Sequence, residues 1–142
     1  MERQELYEYM RRQRYGVLSS VSTDGTPQSA LVGVAITPEL DIVFDTLKTS
    51  RKYPNLLQDP RCSFVLGWHG EQTVQLEGVA EQPIGDELLR LQAIYFETWP
   101  DGAARAHWTG IVWLVVRTRW LRYSDYNFDP PRVWESKIGD QV

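Results

Sequence analysis

The sequence holds a single cysteine, Cys62, among 142 residues. One thiol closes no intrachain disulfide and supplies no structural zinc site. The only two histidines, His69 and His107, stand at no ligand spacing, so a metal centre is not expected. No stretch approaches the roughly 18 apolar residues of a membrane helix. The start, Met-Glu-Arg-Gln-Glu, is charged and unlike a secretory signal, so the expected compartment is the cytoplasm, with no membrane partner. Positive charge is not in excess: 15 Lys and Arg face 19 Asp and Glu, for a net charge of −4, which argues against a dedicated nucleic-acid binder. Gly and Pro total 18 residues, too few for a collagen-like or low-complexity chain.

What is present is apolar and aromatic. Leu, Ile, Val and Phe number 37 of 142 residues, enough for a packed core in one domain spanning 1–142. Six Trp, seven Tyr and four Phe suit a β-rich core, a site that contacts a flat ring, or a subunit interface. Glu2 to Arg14 reads as a short amphipathic helix, a lid or strap, with Leu6, Tyr9 and Met10 on its apolar side. Six β-branched or aromatic runs follow: 16–22, 27–37, 41–46, 61–68, 73–81 and 110–126. Asp24-Gly25 predicts a type I′ hairpin turn, and His69-Gly70-Glu71 a second tight connection. Helices are expected at 49–58, stopped by Asp59-Pro60, and at 86–98, whose Leu88 to Phe96 stripe is packing. The tail after Asn127 reads as irregular. Six short strands with tight connections describe a small antiparallel barrel rather than a βαβ fold.

Several residues carry a bland reading. Cys62 shares a strand face with Phe64 and Leu66 and reads as a buried, inert thiol. His69 and His107 fall in loops. Arg117, Arg119, Trp120 and Arg122 interleave cations with an aromatic, as single-strand nucleic-acid barrels do, but in an acidic chain they read as a solvated or interfacial strand face. Trp113 and Trp120 read as core or dimer anchors.

One segment stands apart. Asp45-Thr46-Leu47-Lys48-Thr49-Ser50-Arg51-Lys52 leaves a strand and enters a helix, with Ser50 or Thr49 as the expected N-cap. Arg51 and Lys52 then occupy the first helical turn, where the helix dipole disfavours cations by roughly 0.3–1 kcal/mol each. Two hydroxyls, two cations and free backbone N–H groups within one turn suit a phosphate; a solvated basic patch is the plainer alternative.

From Asp41 to Gln82 the sequence DIVFDTLKTSRKYPNLLQDPRCSFVLGWHGEQTVQLEGVAEQ resembles the pyridoxamine 5′-phosphate oxidase-like proteins of the flavin-binding split-barrel superfamily. The shared elements are a strand ending in Thr, Ser-Arg-Lys opening a helix, Asn-Leu before Asp-Pro-Arg, a strand ending in Trp, and Glu-Gly-x-Ala. With the upstream VSTDGTPQSALVGVAI the resemblance covers about residues 12–126. It implies a mainly β fold, a six-stranded antiparallel split β-barrel with about three helices. It also implies a homodimer with FMN at the subunit interface. Arg51 and Lys52 would hold the phosphate beside Ser50. Asp45 and Thr46 would touch the ribityl phosphate or flavin edge, the strand around Val32 would run beside the ring, and Thr73 would supply a polar contact.

Two features of true pyridoxamine-phosphate oxidases are missing: Ala30 and Ala35 stand where basic residues are expected, and Asn-Phe-Asp-Pro-Pro-Arg-Val-Trp-Glu after Tyr126 lacks an Arg-x-His element. The expected function is therefore a flavin-dependent oxidoreductase acting on an unidentified small molecule, with no catalytic residue assigned. A non-catalytic flavin carrier or sensor and a deazaflavin-dependent reductase are the alternatives.

Overall fold

The computed structural model describes residues 1–138. Its elements in chain order are α1 (Arg3–Arg11), β1 (Tyr15–Val21), β2 (Pro27–Gly33), β3 (Ala35–Ile36), β4 (Ile42–Leu47), α2 (Lys52–Gln58), β5 (Arg61–Leu66), β6 (Gln72–Glu81), α3 (Gly85–Thr98), α4 (Gly102–Arg105), β7 (Ile111–Asp125) and β8 (Arg132–Lys137). One antiparallel sheet has the order β2-β1-β5-β6-β7-β4-β3, with β8 paired to β7 beyond the reach of β4. β2 and β3 end this order yet are consecutive in the chain, so the sheet curls round on itself as a split barrel.

The mainly β antiparallel fold is as expected, and the differences have local causes. The expected strand 27–37 breaks at Val34, whose N–H donates to the Arg14 carbonyl at 2.9 Å instead of a sheet partner. The tail is not irregular throughout: β8 pairs along Trp120 to Asp125, and Glu135 accepts from Trp120 Nε1 at 2.7 Å and Arg122 at 3.0 Å. The turn at Asp24-Gly25 is not type I′. Only Gly25 has positive φ, and its N–H returns to the Ser22 carbonyl at 2.9 Å, as in a type I turn closed by a left-handed glycine.

Two apolar cores fix the sheet. The barrel interior gathers Leu18, Phe44, Phe64, Leu66, Leu76 and Leu121, and Leu6 and Met10 of α1 plug its end. Outside the barrel, α3 lays Leu91 and Tyr95 over Val43, Trp113 and Val115. β4 and the first half of β7 are therefore buried on both faces, which is why both read as continuous apolar runs rather than alternations. Trp113 is a core residue, 7% exposed. Cys62 is buried, and desolvation pushes its thiol up to about 12, so the inert reading holds. Arg117 differs from a freely solvated cation: it pairs with Asp41 at 3.2 Å, Glu81 at 3.0 Å and Glu87 at 3.4 Å. Among the described residues no helix is long and apolar enough to cross a membrane.

Candidate functional site

Alternation along β4 sends Thr46 and Asp45 to opposite faces. Thr46 points inward with Phe44, and its Oγ1 donates to Ser50 Oγ at 3.1 Å. That bond, with the Ser50 N–H on the Leu47 carbonyl at 3.0 Å and the Lys48 N–H on the Gly110 carbonyl at 2.8 Å, fixes the turn leading to Arg51. Ser50 is consequently not the helix cap. α2 starts at Lys52, the cap position is Arg51 in helical conformation, and no side chain caps it. Pro54 in the first turn has no N–H to offer. The anion-binding capacity here thus rests on the two cations more than on a helix end.

Arg51 and Lys52 border a cleft of about 400 Å³ whose other walls are Ser20, Gln28, Ser29 and Ala30. A polar chain behind it orients Arg51. Buried Asn55 donates to Ser20 Oγ at 3.3 Å and touches the Gln28 amide at 2.7 Å, and the Gln28 oxygen, turned to Arg51, accepts from Nε at 3.1 Å. Ser20 and Gln28 are register partners at the ends of β1 and β2. Two polar residues at core-facing positions, alternating with Leu18 and with Ala30 and Val32, were the sequence signal for them. A guanidinium, an ammonium and the Ser20 hydroxyl on an open cleft fit a phosphate dianion; Ser29 turns its hydroxyl to Ser19 on the other face of the sheet.

Asp45 lies on the other side of β4, beneath α3. Its Oδ1 accepts from the Tyr95 hydroxyl at 3.4 Å, and the Arg105 guanidinium reaches the same hydroxyl at 3.5 Å. Its Oδ2 is buried without a hydrogen-bond partner. Burial raises the Asp45 carboxyl above its ordinary range, against the lowering pull of Arg105, Tyr95 and Lys52. Burial also lowers the Lys52 ammonium, with Asp45 pulling the other way. Desolvation and the Asp45 charge push the Tyr95 hydroxyl up to about 12. Tyr95 was read from sequence only as packing, and Arg105 was not singled out.

Because the folded state binds the Asp45 proton more tightly than the unfolded chain, its ionisation destabilises the fold, and stability is recovered as pH falls through the raised value. Asp45→Asn removes the buried charge and is therefore expected to stabilise the apo protein by about 1 kcal/mol at pH 7. Urea unfolding at pH 7 and pH 5 should show this advantage shrinking at the lower pH. A variant less stable than the parent at pH 7 would refute the assignment.

The remaining expected residues are dispersed. Val32 lies in the barrel core, 7% exposed, inward of Ala30 on the same strand face. Thr73 is at the β5–β6 hairpin end, its Oγ1 donating to the Leu66 carbonyl at 3.3 Å. The register Leu66 to Val74 and Cys62 to Gly78 puts it at the opposite end of the strands from the Ser20 level. One chain thus brings together Arg51, Lys52, Ser50 and Thr46, with Asp45 behind them, and leaves Thr73 apart. Among the described residues no cluster of three or more His, Cys, Asp or Glu is placed to hold a metal ion.

Comparison with known proteins decides the family. Residues 3–124 match the sequence model of the family described as pyridoxamine 5′-phosphate oxidase. The chain belongs to this pyridoxamine 5′-phosphate oxidase family. It is 32% identical over 92 residues to the pyridoxine/pyridoxamine 5′-phosphate oxidase of Bordetella avium, covering 64% of this chain and 42% of that protein. To the protein of the same name from Salinibacter ruber it is 31% identical over 103 residues, covering 72% and 46%. The chain therefore spans less than half the length of these curated relatives.

Solved structures agree on the split-barrel fold of the family. A heme binding protein from Mycobacterium smegmatis superposes with TM-score 0.82 at 21% identity, covering 96% of this chain and 58% of that one. A conserved hypothetical protein from Mycobacterium tuberculosis gives 0.75 at 24%, covering 100% and 95%. A pyridoxamine 5′-phosphate oxidase-related, FMN binding protein from Nostoc punctiforme gives 0.72 at 16%, covering 97% and 90%.

Proposed function

We propose that the protein binds FMN and acts as a flavin-dependent oxidoreductase on a small molecule, working as a homodimer. The observation that carries this reading is the convergence of Arg51, Lys52 and Ser20 on one cleft, with Arg51 held by the Gln28–Asn55 chain. Family membership and the FMN binding protein of the same fold support it. When bound, FMN supplies hydride transfer at its ring. The chain's own part is to grip the phosphate with Arg51 and Lys52 and to keep those side chains oriented. Ala30 and Ala35 bring no charge to the neighbouring strands, so we take the substrate to be something other than pyridoxamine 5′-phosphate.

A homodimer accounts for two further features. Leu31 and Val65 are exposed on either side of Val17 in one cross-strand row, with Tyr15 and Trp68 also exposed, an apolar face that a second copy would cover. Thr73 can join the cleft only from another chain. Because the cleft walls include no carboxylate and no histidine, a non-catalytic flavin carrier remains the second reading.

Titrating apo protein with FMN while following flavin fluorescence tests the binding, and light scattering gives the mass of the complex. Saturable binding by a dimer is expected. Failure to bind FMN, or an FMN-bound monomer, overturns the corresponding part, and turnover of bound flavin with a reductant and an acceptor separates enzyme from carrier.

A further inference from the structure

We propose that the groove between the end of α1 and α3 is a second anion site, separate from the Arg51 cleft, that takes a nucleoside diphosphate or an organic phosphate of that size. The groove measures about 550 Å³, within the range of small-molecule pockets. Arg11, Arg12, Arg14 and Arg90 line it, and Glu97 is the sole carboxylate among its walls. In a chain of net charge −4 this gathers four guanidinium groups round one groove.

Two of the four arginines are already neutralised. Arg11 pairs with Glu8 at 3.6 Å, and Arg90 with Glu87 at 2.8 Å and Glu39 at 2.9 Å. The other two form no ion pair with a carboxylate among the described residues. Arg14 donates to the Thr98 carbonyl at 3.2 Å and lies 4.0 Å over the Trp99 ring, which orients its guanidinium without discharging it. The Arg12 side chain is exposed and makes no hydrogen bond or ion pair among the described residues. Planar guanidinium forks without carboxylate partners match phosphate oxygens bidentately.

The floor is not polar. Half-buried Tyr7 and Ile94 border the arginines, with buried Ile36 beside them, so a bare inorganic anion would leave the apolar part of the groove unused. An apolar ring over that floor, phosphates at Arg12 and Arg14, and a hydroxyl or amine donating to Glu97 use all of it. The Arg51 cleft shares no lining residue with this groove. Arg14 precedes β1 whereas Ser20 stands near its far end, about 20 Å along an extended strand.

Calorimetric titration with ADP tests this, with inorganic pyrophosphate and adenosine as separate probes. ADP is expected to bind saturably, and each of the other two at least tenfold more weakly. Arg12→Ala is expected to weaken ADP at least tenfold, since hydrogen bonds to charged groups are lost, while Arg51→Ala leaves ADP binding unchanged. Because Arg12 also ends α1, where positive charge suits the helix dipole, Arg12→Lys serves as the second variant. It keeps that charge, lacks the fork, and is expected to weaken ADP with no change in thermal midpoint. No saturable ADP binding, pyrophosphate or adenosine binding as tightly as ADP, or ADP binding lost in Arg51→Ala yet intact in Arg12→Ala would each overturn the proposal. None of these outcomes depends on FMN, so the two sites fail or stand independently.

Discussion

Replacing Arg51 with Ala is expected to weaken FMN binding tenfold to hundredfold while leaving apo stability level or slightly raised. The FMN phosphate carries about two negative charges, and each hydrogen bond to such a group contributes roughly 1.5–3 kcal/mol. A tenfold change in affinity corresponds to about 1.4 kcal/mol, which sets the expected range. Without FMN the same side chain does little for the fold. It is exposed, its neighbour Gln28 keeps its contact with Asn55, and its charge sits at the end of a helix that disfavours cations by roughly 0.3–1 kcal/mol. Affinity and apo stability should therefore move in opposite directions, or stability should not move. Thermal unfolding of the apo variant beside its FMN titration reads both quantities. A variant that is destabilised yet binds FMN like the parent would show that Arg51 serves the fold and not the ligand.

Arg51 and Lys52 were legible in the sequence because they break a local rule: cations open a helix whose dipole opposes them. The groups that position them were not, because the contacts are remote in the chain. Asn55 meets Gln28 27 residues away and Ser20 35 residues away. At positions 20 and 28 a polar residue in a core-facing slot is the one signal, and by itself it does not separate a site residue from a polar strand end. The cap failed for a local reason: the Ser50 hydroxyl is engaged by Thr46, four residues earlier at the end of β4.

The fold was more readable than the site because hydrophobic period is local. β5 alternates Cys62, Phe64 and Leu66 inward, and β4 reads Ile42-Val43-Phe44 because α3 covers its second face. β8 escaped that reading. Its six residues carry weak alternation, and it becomes a strand through cross-strand partners on β7, namely Trp120 and Arg122 against Glu135.

Gly78→Ala is expected to cost about 3 kcal/mol or more, lowering the thermal midpoint by about 10 °C. Gly78 belongs to the Glu-Gly-x-Ala element, and the structure gives that glycine a steric reason. The β6–β7 register shifts there: Glu77 faces Trp120 and Gly78 faces Thr118, so Arg119 is the extra residue of a bulge. A Cβ at Gly78 would stand 2.5 Å from the Arg117 carbonyl oxygen and 2.6 Å from Val116 Cγ1. The carbonyl is backbone and cannot swing aside. β7 is also pinned at this point, since the Thr118 N–H donates to Asp41 at 3.0 Å and its hydroxyl to the Leu40 carbonyl at 2.6 Å, so relief would break buried hydrogen bonds. Gly25→Ala is the matching control. Its residue has φ of 86° but nothing within 4 Å of the added methyl, so it loses only left-handed freedom, about 1 kcal/mol. Urea unfolding of both apo variants should rank Gly78→Ala well below Gly25→Ala at equal denaturant slope. Equal midpoints would mean that β7 yields at the bulge, and the close approach of the two strands would then not be what the glycine is for.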